Sequence, residues 1–123
     1  MEGESLKDEE KLVERLIKAG LEKKIARTLV FVASRDETRR RDIEDATDLR
    51  QPEVSIAMQA VRDRGWVTKR DIKNEGKGRP VHAYQLDEPI EKIIEEIEKK
   101  EKERIEEIEQ NLKDIKELAG SCL

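Results

Sequence analysis

The side chains best equipped for chemistry cluster between Arg39 and Arg62, and their chemistry is recognition rather than bond-making. Arg39, Arg40 and Arg41 are consecutive, and Arg50 and Arg62 follow. Guanidinium groups pair with phosphate oxygens, which fixes register on a nucleic acid without reading sequence. Between the last two arginines come Gln51, Glu53, Ser55, Ile56 and Gln59. A glutamine can bond adenine twice, a glutamate accepts from the cytosine amino group, and an apolar side chain contacts the thymine methyl. Residue types for catalysis are missing: there is no Ser/His/Asp set, no phosphate-binding glycine loop and no metal-ligand cluster. One His and one Cys, far apart, fall short of the three or four ligands a metal needs. The expectation is therefore a non-enzyme without metal or cofactor. Cys122 reads as an inert tail residue.

These groups need elements to carry them. Gln51–Arg64 has helical periodicity: Val54, Ala57, Met58 and Val61 form an apolar stripe about 100° wide. Pro52, Ile56 and Gln59 lie nearly opposite, with Ser55 and Glu53 flanking them and Arg62 at the edge of the stripe. Pro52 belongs to the first turn, where a missing N–H costs nothing, and Gly65 ends the helix. Upstream, the arginine run enters a short helix with core positions Ile43 and Ala46. The turn Thr47-Asp48-Leu49 joins the two helices, with Leu49 pointing inward.

Two helices precede this pair. Ser5-Leu6-Lys7-Asp8 has the form of a capping box and opens the first, which Gly20 ends. In the second, Leu21, Ile25, Leu29 and Val32 form a stripe, and Leu29–Ala33 is apolar all round, as in a buried central helix. Ser34–Thr38 reads as a polar break. Downstream, Trp66–Lys73 and Val81–Leu86 read as strands joined by a basic, glycine-rich tip containing Lys77, Gly78, Arg79 and Pro80. His82, beside the tip, could approach a phosphate, although a structural role at the domain edge is the stronger reading.

From Asp87 a single helix is predicted to about Leu118. Its apolar positions are Ile90, Ile94, Ile97, Ile105, Ile108, Leu112, Ile115 and Ala119, and its other faces are nearly all Glu and Lys. Such a stripe needs a partner, and an identical helix is the simplest one, which predicts a homodimer.

Charge divides along the chain. The net value is −4, yet residues 21–86 hold 15 basic and 11 acidic side chains, whereas residues 87–123 hold 7 and 13. A basic middle beside an acidic tail hides an electrostatic footprint for nucleic acid. Apolar residues make up 35% and charged ones 46%, so the core must be small and helix-rich. Neither a leader sequence nor a membrane span is predicted, and a soluble, cytoplasmic protein is expected.

The order helix–helix–helix–turn–helix–strand–strand is that of a winged helix-turn-helix. Ile43–Ser55 (IEDATDLRQPEVS) resembles the helix-turn-helix of small archaeal regulators related to the TrmB and MarR groups, and Trp66-Val67 fits the usual start of the wing. Lys77-Gly78-Arg79-Pro80-Val81-His82-Ala83-Tyr84 resembles the G-R-P-x-x-x-Y wing of TrmB-like and PadR-like proteins. Asp48 and Arg50 depart from the pattern, which often has Gly and a small capping residue there. The resemblance implies a mainly α fold with a small β wing, followed by a long dimerisation helix. It divides the chain into an N-terminal helix (1–20) packing on the domain or the dimer interface, a DNA-binding domain (21–86), a coiled-coil helix (87–119) and a tail (120–123). It implies a sequence-specific transcriptional regulator that binds double-stranded DNA as a homodimer; as a departure from full-length TrmB proteins, no small-molecule effector domain is expected. The alternative is a winged-helix module for protein–protein interaction within a larger assembly.

Overall fold

The computed structural model describes residues 2–47, 49–72 and 81–123. The chain forms two units, a domain through Ile90 and a helix from Glu91 onward.

The first helix, α1 (Glu2–Lys18), starts before the predicted capping box, which falls inside it. Its end is as the glycine predicts. Gly20 takes φ 102° and donates its N–H to the Ile17 carbonyl at 3.0 Å, while Leu21 donates to Leu16 at 3.1 Å. This paired closure satisfies two otherwise orphaned carbonyls, and it needs a residue without a Cβ penalty at the left-handed position.

Helix α2 (Lys23–Ala33) is the centre of the domain. Ile25, Ala26, Thr28, Leu29, Val30 and Val32 are all buried, because α1, α3, α4 and the sheet pack around it. The apolar run Leu29–Ala33 anticipates this, although Phe31 stays half-exposed.

The segment expected to be a break then adds a strand. Thr38 and Arg39 form β1, which pairs antiparallel with β3 (Val81–Leu86) through Thr38↔Tyr84 and Arg39↔Ala83. With β2 (Val67–Ile72) the sheet order is β1-β3-β2. Arg39 thus belongs to a strand, not to the short helix. Two residues carry no readable alternation; the ladder to the central strand fixes them by satisfying their backbone groups.

Helix α3 (Arg40–Thr47) begins with half of a capping box, the Arg39 N–H donating to Asp42 Oδ2 at 3.0 Å. Its core positions are Ile43 and Thr47, and Ala46 is exposed, contrary to expectation. A threonine can take the inward site here because its hydroxyl donates to the Ile43 carbonyl at 2.5 Å. Asp48 lies outside the described residues, and Leu49 is buried.

Helix α4 (Gln51–Asp63) buries Val54, Ala57, Met58 and Val61, the predicted stripe. It closes like α1: Gly65, at φ 76°, donates to the Arg62 carbonyl at 2.9 Å and Trp66 donates to Val61 at 3.1 Å. Trp66 is therefore the buried end of this cap, and β2 starts one residue later than predicted. Strands β2 and β3 pair from Val67↔Leu86 to Ile72↔Val81.

The last helix, α5 (Ile90–Cys122), runs past the predicted end at about Leu118. No described helix is long and apolar enough to cross a membrane.

Candidate nucleic-acid interface and pairing helix

Opposite its buried stripe, α4 presents Ile56 and Gln59, with Ser55 flanking them and Gln51 at an edge; all four are exposed, and Ile56 retains 71% of its accessible surface. Gln59 is oriented: its Nε2 donates to Asp63 Oδ1 at 2.7 Å, one turn along. The carboxylate can only accept, so the amide must turn its nitrogen that way and leave Oε1 outward. Glu53 differs from these four. It is half-buried at the flank of the face, and its Oε2 lies 3.2 Å from Lys24 Nζ on α2.

The arginines come from three elements: Arg39 from β1, Arg40 and Arg41 from the first turn of α3, and Arg50 and Arg62 from the two ends of α4. Arg39 and Arg41 are exposed and Arg40 is half-buried. Cations at a helix N-terminus oppose the dipole, so the stability of α3 does not account for Arg40 and Arg41. Arg50 occupies the N-cap of α4 in extended conformation (φ −80°, ψ 159°), and its side chain makes no capping bond. It caps through its carbonyl, which accepts from the Val54 N–H at 2.9 Å.

The hairpin tip with Lys77, Gly78, Arg79 and Pro80 lies outside the described residues. His82, on β3, stands directly across from Asp71 of β2, with Nδ1 2.7 Å from Oδ1. That pairing favours the structural role over a phosphate contact. Arg70 is likewise engaged, bonding Glu37 at 2.7 Å.

Neither a family model nor a curated protein matches the sequence. Solved structures do match the fold. TrmBL2, described as an archaeal chromatin protein with a novel mode of DNA binding, superposes with a TM-score of 0.61 over 89% of this chain at 18% identity. The MepR–DNA complex of Staphylococcus aureus matches with a TM-score of 0.53 over all of this chain and 96% of that one, at 15% identity. A MarR transcriptional regulator from Methanosarcina mazei matches at 0.51, over 98% and 97%, with 14% identity. The fold is a winged helix. This chain spans 40% of TrmBL2. Within the winged helix, α3 and α4 are the helix-turn-helix pair and β2–β3 the wing.

Helix α5 leaves most of its apolar face uncovered. Ile94, Ile105, Ile108, Leu112, Ile115 and Leu118 are between 43% and 62% exposed. Ile93 and Ile97 are buried; Ile93 was not part of the predicted stripe. The charged faces are laced locally, by Glu98–Lys102 at 2.8 Å and Glu101–Arg104 at 3.3 Å. The Lys102 hydrogen bond and charge hold the Glu98 carboxyl below its ordinary pKa, and Glu98 raises Lys102 in return.

Sequence reasoning did not single out Lys24, which the structure brings to Glu53 at the flank of the α4 face. The available signal was electrostatic: α2 opens with Lys23 and Lys24 and has no acid in its first turn.

Proposed function

We propose that this winged helix is a sequence-specific, double-stranded DNA-binding transcriptional regulator that acts as a homodimer. The observation carrying the proposal is the outward face of α4. Ile56 and Gln59 stand exposed opposite a fully buried stripe, with Ser55 and Gln51 exposed beside them. A helix facing only water gains nothing from Ile56, whereas thymine methyls in a major groove reward it. Arg39, Arg40, Arg41, Arg50 and Arg62 pair with phosphates on either side, and the Lys77–Arg79 tip reaches the backbone or an adjacent minor groove. The basic surplus of residues 21–86 supports this assignment. So does the similarity of fold to a regulator whose structure was solved on DNA.

The bare Ile and Leu face of α5 supports a two-fold dimer, in which Ile94, Ile105, Ile108, Leu112 and Ile115 belong to the seam; Ile90 is half-buried and Ile97 is already buried within the single chain, so neither is part of the bare face. Two copies then place two α4 helices on a pseudo-palindromic site. An electrophoretic shift series on fragments of the source genome tests the proposal. At low salt a subset of fragments shifts in preference to the rest. No shift at low salt, together with stoichiometric co-purification of another protein, would replace it with a protein-docking module.

A further inference from the structure

Lys24 and Glu53 join two helix beginnings. Lys24 lies in the first turn of α2, and Glu53 in the first turn of α4, and their charged atoms are 3.2 Å apart. The lysine side chain is 47% exposed and the glutamate side chain 33%. An exposed pair of this kind adds little to folding, so its effect is on the surface it shapes.

Three observations fix what that effect is. On a helical projection Glu53 sits roughly a quarter turn from the centre of the buried stripe. Gln51 sits about as far round on the opposite side, so the two residues flank the exposed face on different edges. Secondly, α2 opens with two lysines and no acid in its first turn, which its dipole disfavours. The N-cap residue Glu22 places one carboxylate at this end, and Glu53 adds a second from the neighbouring helix. Thirdly, a lone carboxylate moved towards phosphates is repelled, whereas one paired with Lys24 is neutralised.

We infer that Lys24 is a specificity-determining positioning residue: it holds Glu53 at the flank of α4, off the base edges, and leaves Ile56 and Gln59 to read sequence. This rests on the DNA-binding reading proposed above. Lys24 acts through Glu53, so its removal does more than delete one phosphate contact. It releases a carboxylate whose one good base partner is the cytosine amino group.

The test is selection from a pool of randomised duplexes with the full chain and three variants, Glu53→Ala, Lys24→Met and the double variant. Each is followed by a salt titration and a thermal melt. Glu53→Ala has no hydrogen-bonding group to offer a base, so it keeps the wild-type base preference, binds more tightly, and steepens the log–log salt slope by about one as Lys24 becomes available to a phosphate. Lys24→Met binds more weakly and shifts preference towards cytosine at one base pair per half-site, by about tenfold. The double variant loses that shift, and all four proteins melt within a few degrees of one another. A changed base preference in Glu53→Ala overturns the inference, and that result does not depend on how Lys24→Met folds. So does an unchanged preference in Lys24→Met. Failure of the wild-type chain to bind any duplex removes the DNA-binding reading itself, whereas binding with unaltered preference in the variants removes the role of Lys24 alone.

Discussion

Ile56 and Leu29 are both large aliphatic residues on helices, and their surroundings give them opposite tasks. Leu29 is fully buried in α2, whereas Ile56 on α4 is 71% exposed. Truncating Ile56 therefore removes no packing. Ile56→Ala is expected to change folding stability by less than about 0.5 kcal/mol while weakening discrimination at the base pair it faces. Urea denaturation and competition binding on one preferred duplex measure the two effects. A large loss of stability would mean that Ile56 belongs to a core. At this scale the sequence was partly legible. The stripe Val54, Ala57, Met58 and Val61 repeats at helical spacing, and its burial follows. Ala46 and Thr47 could not be ordered the same way, because the exchange depends on a hydroxyl finding the Ile43 carbonyl. Lys24 and Glu53 are 29 positions apart, and only the packing of α2 on α4 brings them together.

Elements end where local chemistry ends them. Gly20 and Gly65 close α1 and α4 with the same pair of hydrogen bonds, and both ends were legible because a left-handed residue is nearly always glycine. Strand β1 was not legible: its two residues acquire their conformation from β3, far along the chain. For α5 the exposed apolar face makes a direct prediction. Leu112→Glu puts a charge into the proposed seam, and sedimentation should show a monomer where the wild-type chain gives a dimer. A variant that remains dimeric would move the interface elsewhere. The Glu98–Lys102 bond makes a second. Glu98 titrates below its ordinary value of 4.5, so its contribution is present above that pH and is lost as the pH falls through the depressed value. Lys102 titrates above 10.5, so its contribution is present below that pH and is lost as the pH rises through the raised value. An NMR titration should find the Glu98 midpoint depressed in the wild-type chain and returned towards 4.5 in Lys102→Met. Equal midpoints would mean that the ion pair does not persist in solution.

For the molecule as a whole, charge and symmetry combine. The overall charge of −4 belongs largely to the last 37 residues, while residues 21–86 carry a surplus of four positive charges. This division was legible in the sequence, as was the order of elements that makes a winged helix. Which elements carry the cations was less so, since Arg39 belongs to β1, and β1 and the first turn of α3 together supply three of the five arginines proposed to meet phosphates. The most direct measurement is the affinity of the intact chain for a selected duplex as a function of salt. If six to ten phosphates are contacted, affinity falls by ~10³–10⁵ between about 50 and 200 mM salt, with two chains bound per site. Absence of binding at about 50 mM, or an affinity insensitive to salt, would contradict the account.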